Sequence, residues 1–177
     1  MEPFRFMLAE GKPNSLGRTL EVVETVLADP SRCEELFACW TCDDEWARMR
    51  AANGMRRVFK ERPDWFHAYV DRMLTQIAPL DQASARWTLS QLWLEHRQRL
   101  TAEQRVAATD YLITTLVDHD DWIVLNMTMK TLRTFVKHDA SIVPRIEMRV
   151  RMLSEDRRKS VANGAQKLLK AMDLSPL

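Results

Sequence analysis

The chain has 177 residues, with 4 glycines, 7 prolines and a formal net charge of +1. That length fits one domain with a proper core, here residues 1–177, and the composition suits a helical protein. The near-neutral balance argues against a whole-protein attraction to nucleic acid or to anionic membranes. No apolar run reaches the length of a membrane span, and the charged start Met1-Glu2-Pro3-Phe4-Arg5-Phe6 lacks a signal-peptide core. Three cysteines, an odd number, make no disulfide framework, so the cytoplasm is the expected location.

Residues 1–14 contain Pro3, Gly11, Pro13 and Asn14 and read as an irregular lead-in, with Phe4, Phe6, Met7 and Leu8 available to pack onto the first repeat. Ser15 is placed to cap a helix running to about Leu27, with Leu16, Leu20, Val23 and Leu27 on one stripe. Asp29-Pro30 ends it, and 31–40 supplies a partner helix with Leu36, Phe37 and Trp40 apolar. The next pair covers 45–62 and 65–78 around the turn Pro63-Asp64. Met55, Val58 and Phe59 face inward on the first of these. Phe66, Tyr69, Val70, Met73, Leu74 and Ile77 do so on the second.

A further pair spans 82–96 and 102–117, and Thr101 with Gln104 fits a capping box. A third covers 122–137 and 141–153, and a last helix covers 157–172 before a short tail at 173–177. No run of alternating β-branched residues reads as a strand.

The pairs look alike. Arg48, with Ala51, Ala52 and Gly54-Met55, is echoed at Arg86 with Leu89, Ser90 and Leu92-Trp93. Weaker echoes follow at Leu125 with Thr128, Met129 and Thr131-Leu132, and at Arg158 with Val161, Ala162 and Gly164-Ala165. Aligning Gly54, Leu92, Thr131 and Gly164 gives steps of 38, 39 and 33 residues. Acid residues precede each first helix: Asp43-Asp44, Asp81, Asp120-Asp121 and Glu155-Asp156. A carboxylate there accepts from an orphan N–H and complements the helix dipole. Gly54 and Gly164 fall inside helical patterns, where close helix packing is the expected reason for glycine.

On this spacing of paired helices, residues 16–172 resemble the HEAT-like (HEAT and armadillo) repeat superfamily. The resemblance implies an all-α fold, a right-handed superhelical stack of about four antiparallel helix pairs. In such proteins the second helix of each pair lines the concave docking face.

Cys39-x2-Cys42 has the spacing of a thiolate pair on zinc, but no second such pair follows, and ordinary reduced thiols are the expectation. His67, His96, His119 and His138 are scattered, and the last three fall near helix C-termini, where a cation is favoured. No phosphate loop, nucleophile elbow or dinucleotide fingerprint is present. No catalytic residue, metal ligand or cofactor is therefore expected. Trp93 aligns with core positions, whereas Trp46, Trp65 and Trp122 sit near helix starts.

Charge is uneven. From Arg133 onward ten Lys or Arg stand against five Asp or Glu, whereas 1–88 carries twelve against fourteen. Arg145 and Arg149 share a helix face. With Arg72, Arg105, Arg151 and Arg158 they form the candidate partner-binding set, either a ridge for an acidic partner or a solvated face balanced by Glu147, Glu155 and Asp156.

The expected function is a non-enzymatic scaffold binding a protein partner through a concave face. The alternative is nucleic-acid binding through the basic C-terminal third, related to the HEAT-like DNA-alkylation-repair glycosylases. A bilin lyase subunit of HEAT type is an outsider that no motif supports.

Overall fold

The computed structural model describes residues 2–173; the end of the expected tail, 174–177, lies outside them. Every regular element among the described residues is helical. No helix among them is long and apolar enough to cross a membrane. The chain divides into two compact units, 1–88 and 89–177.

The first unit is organised around α4 (Glu45–Glu61). Asp44 starts this helix by accepting from the Ala47 amide at 2.8 Å. Its inner face, Ala51, Met55, Val58 and Phe59, is fully buried. Against α4 pack α1 (Phe4–Ala9), α2 (Thr19–Ala28) and α3 (Cys33–Cys39). Gly54 permits the approach: a Cβ there would stand 3.3 Å from a Leu36 methyl and 3.6 Å from the Thr19 methyl.

Within the expected lead-in, Phe4, Met7 and Leu8 pack inward as anticipated, but Phe6 is exposed and the backbone is not irregular throughout. Residues 4–9 form a helix because Phe4, Met7 and Leu8, at spacing i, i+3, i+4, bury against the rest of the unit. The Phe4 amide donates to Glu35 Oε1 at 2.7 Å, and the Arg32 guanidinium lies 3.7 Å from the Phe4 ring centre. One and a half turns are too short for periodicity to announce them.

The start of α2 also differs from expectation. Ser15 caps no helix; its hydroxyl donates to the Lys12 carbonyl at 2.6 Å in a turn, and α2 begins at Thr19. Thr19, Val22, Val23 and Val26 form the buried stripe, leaving Leu16 and Leu20 exposed.

After Pro63 the expected single helix is a composite. A 3₁₀ turn (Phe66–Tyr69), one α turn (α5, Val70–Arg72) and a π turn (Met73–Ile77) follow one another. The Thr75 hydroxyl donates to the Asp71 carbonyl at 2.9 Å, a back-bond that bends helices. Phe66, Tyr69, Val70, Met73 and Ile77 are buried as anticipated; Leu74 is only half-buried. Phe59 meets Phe66 edge-on at 5.4 Å, and Phe37 meets Tyr69 at 5.1 Å. Such pairs add about 1 kcal/mol each beyond the area they bury.

In the second unit, the end of α6 (Ala83–His96) leads through a 3₁₀ turn (Arg97–Arg99) into α7 (Ala102–Asp118). Then come α8 (Trp122–Phe135), a 3₁₀ turn (Ala140–Ile142), α9 (Val143–Ser154) and α10 (Lys159–Ala171). α10 packs on both α8 and α9, while α7 packs on α8 and α9. Trp93 is fully buried, as its alignment implied. The capping box at Thr101 is present in both directions, and Asp121 caps α8 through the Ile123 and Val124 amides. The other two acids do not cap. Asp81 accepts from Arg86, and Asp156 binds the Arg158 amide and guanidinium, leaving α10 without a side-chain cap.

Contacts between successive first helices recur at separations of 34 to 41 residues. Gln82 joins Arg48 and the Glu45 carbonyl across 34 and 37 residues. Ser90 joins Thr128 and Thr131 across 38 and 41, and Asn126 joins Ser160 across 34. A Cβ on Gly164 would stand 2.9 Å from Asn126 Oδ1 and from the Met129 methyl, so α10 and α8 touch as α4 and α2 do.

Candidate binding surface of arginine-lined clefts

Two of the six arginines singled out from the sequence, Arg105 and Arg145, line one open cleft in the second unit. Its volume is about 400 Å³, and its walls come from the start of α7, the end of α8, the 3₁₀ turn at 140–142 and the start of α9. The capping box fixes the first turn of α7, and Arg105 lies in the turn that follows. Its guanidinium donates from Nη2 to the Leu100 carbonyl at 3.1 Å. Its Nε is buried and has no hydrogen-bond partner among the described residues. Arg97 is the third cation of the cleft, set 6.0 Å from the Phe135 ring centre.

Both carboxylates of the cleft are engaged. Asp110 meets Arg145 at 2.8 Å, with both side chains about half exposed. Asp139 accepts from the Ser141 amide at 3.0 Å and hydroxyl at 2.6 Å. These bonds, the hydroxyl first, hold the Asp139 carboxyl below the usual range. Val106, 62 % exposed, adds an apolar wall. A neighbouring cleft of about 680 Å³ shares Arg97 and His138 with the first and adds Arg99, Glu95 and Thr134. The two clefts thus share a wall at Arg97 and His138. Sequence reading missed Arg97; the visible signal was the pair Arg97-Gln98-Arg99 just before a helix cap.

The remaining four candidates are held by internal partners. Arg149 donates to the Leu116 and His119 carbonyls at 3.2 and 3.1 Å, closing the C-terminus of α7. Arg151 pairs with Glu147 one turn back at 3.0 Å. Arg158 binds Asp120 at 2.8 Å and Asp156 at 2.6 Å. Those two bonds raise the guanidinium's affinity for its proton, and Arg158 holds the Asp156 carboxyl far below the usual range. In the first unit, Arg72 pairs with Glu34 at 2.7 Å and lies 4.2 Å from the Phe37 ring centre.

Cys33 and Cys39 are buried and Cys42 is half-buried, all three as free thiols. Among the described residues, no group of three or more His, Cys, Asp or Glu is placed to hold a metal ion. His96 ends α6 and is buried, His119 follows α7, and His138 lies exposed three residues past α8. Trp122 is 52 % exposed at the start of α8, whereas Trp46 and Trp65 are half-buried. Comparison with protein-family models, with curated proteins and with solved structures gives no match to this chain.

Proposed function

We propose that the protein is a non-enzymatic helical-repeat scaffold whose second unit docks an acidic segment of a partner protein in the trough shared by Arg97, Arg105 and Arg145. The observation that carries this reading is the gathering of Arg97, Arg105 and Arg145 on the walls of one open cleft, with Arg97 and His138 also lining its neighbour. Arg145 is the exchangeable cation: its half-exposed pair with Asp110 is worth about 0–1 kcal/mol, so a ligand carboxylate can replace Asp110 at small cost. Arg105 brings a buried donor still lacking an acceptor. Val106, which stands exposed, gives a peptide an apolar contact between its charges.

Binding fits the site better than catalysis. Asp139 is held by the Ser141 amide and hydroxyl, which leaves it poorly poised as a general base. A protein segment fits better than a nucleic-acid strand, because Arg149, Arg151 and Arg158, which would extend a phosphate track, are tied to internal acceptors.

The HEAT-like right-handed stack belongs to the same reading. It is supported by the contacts between first helices at separations of 34 to 41 residues, close to the period of HEAT arrays. So does a cytoplasmic location, in keeping with three free thiols.

The test is an anisotropy titration with a labelled Asp/Glu-rich peptide, beside single-stranded and duplex DNA of equal length. The expected result is peptide binding that weakens between low and about 150 mM salt, with DNA binding more weakly at both. Tighter binding of DNA would favour the nucleic-acid alternative instead.

A further inference from the structure

Cys39 and Cys42 stand outside the surface described above, and their geometry suits a different chemistry. Cys39 is the last residue of α3, and Trp40 keeps a helical conformation (φ −72°, ψ −14°). The chain then turns so that the Cys42 amide donates to the Cys39 carbonyl at 3.4 Å. A four-residue turn of this kind holds its first and last Cα within about 7 Å, and a disulfide spans Cα separations of about 4.4–6.8 Å. Both residues line one cleft of about 400 Å³, with Pro3, Arg5, Glu35 and Ala38. We propose that Cys39 and Cys42 are a dithiol site that closes to an intrachain disulfide by exchange with a small-molecule disulfide of the glutathione type.

The two thiols differ in a way that orders the steps. Cys39 is 5 % exposed, whereas Cys42 is half-buried, its sulfur 3.6 Å from the Asp44 carbonyl. Burial first, and the neighbouring Cys42 second, push the Cys39 thiol up to about 12. Cys42 therefore reacts first. It gives its proton to water, attacks one sulfur of the external disulfide and expels one thiolate. Cys39 then loses its proton to that released thiolate and attacks the Cys42 sulfur of the mixed disulfide, expelling the second thiolate. Two protein thiols are oxidised, one external disulfide is reduced to two thiols, and no further oxidant is needed.

Cys33 does not compete. It lies six residues before Cys39 on the same helix, about 120° away around it, and is buried with its thiol bonded to Tyr69. The turn being closed is already anchored, since Arg48 Nη1 donates to the Cys42 and Asp43 carbonyls at 2.7 and 3.1 Å.

The test is incubation of the whole folded protein with glutathione disulfide, followed by thiol counting and intact-mass measurement. The expected result is a fall from three thiols to one with loss of two hydrogens. The same closure should occur in Cys33→Ser and Cys33→Ala and be lost in Cys42→Ser. In the Cys39→Ser variant the expected product is a stable glutathione adduct on Cys42. Retention of both thiols in the Cys33 variants, or a stable adduct in place of closure, would overturn the proposal. Circular dichroism of each variant separates loss of reactivity from loss of fold.

Discussion

Arg50 Nη1 donates to the Leu8 carbonyl at 2.7 Å across 42 residues of chain, and the arginine is only 1 % exposed. The same guanidinium reaches the Lys12 and Ser15 carbonyls at 2.8 and 2.9 Å. The 8–15 segment is therefore folded around a buried cation that gathers three backbone acceptors. Positive φ at Gly11, Asn14 and Gly17 bends the backbone enough for this. The cluster fixes α1 and the entry to α2 on α4, and so holds the first unit together.

Replacing Arg50 by Met keeps much of the volume but takes the donor from the Leu8 and Ser15 carbonyls, while Lys12 keeps its bonds from Ser15. Each buried unsatisfied group costs about 1–3 kcal/mol, so Arg50→Met is expected to destabilise by roughly 3 kcal/mol or more. Arg50→Lys should recover less than half of this, because an ammonium lacks the planar fork. Urea denaturation measures both; a loss under about 1 kcal/mol for Arg50→Met would contradict the strap.

Gly17 is the sharper probe of the same loop. At φ +49° a Cβ would stand 2.4 Å from the Glu10 carbonyl oxygen, a backbone atom that cannot swing aside. Gly17→Ala should cost about 1–3 kcal/mol in the same assay.

Asp121 and Asp81 occupy similar places in the sequence but do different work. Asp121→Ala should cost about 1 kcal/mol through loss of the bonds from the Ile123 and Val124 amides. Asp81→Ala removes only an exposed pair with Arg86 and should stay within about 0.5 kcal/mol of the parent. Equal losses for the two would show that the acid at 81 caps after all.

These contrasts mark where the sequence was legible. From 45 onward most helices announced themselves through apolar stripes, Asp44, Asp121 and the Thr101–Gln104 box, but the 66–77 composite did not. The Asp81 and Glu155-Asp156 signals misled, because an Arg two to five residues on competes for the same carboxylate. The strap was hidden: Arg50 lies on an otherwise inward stripe, and nothing local says that its partners are carbonyls some forty residues earlier. Half of the basic trough was hidden too. Arg105 and Arg145 were visible as members of a basic set, but their separation from Arg149, Arg151 and Arg158 depends on which acceptors the fold brings near.

Stability should fall in acid. Hydrogen bonds from the Arg158 guanidinium and amide depress the Asp156 carboxyl in the folded state. A depressed folded value means that the stabilisation is full above the unfolded carboxyl's value of about 3.9 and is lost as pH falls below it. Glu21, depressed by Arg18, acts in the same direction. Asp156→Asn should melt below the parent at neutral pH, with the gap narrowing toward about pH 3. A constant gap would show that the pair contributes no proton-linked stability.

Docking of an acidic segment would depend on the cations of the cleft lined by Arg97, Arg105 and Arg145. The most direct measurement is the anisotropy of a labelled acidic peptide titrated with the parent protein and with an Arg97→Glu/Arg145→Glu variant of unchanged helicity, beside an Arg149→Glu control. The account predicts at least a tenfold weaker affinity for the double variant, about 1.4 kcal/mol, and a much smaller change for the control. Equal affinity in parent and double variant, or a larger loss for Arg149→Glu, would contradict it.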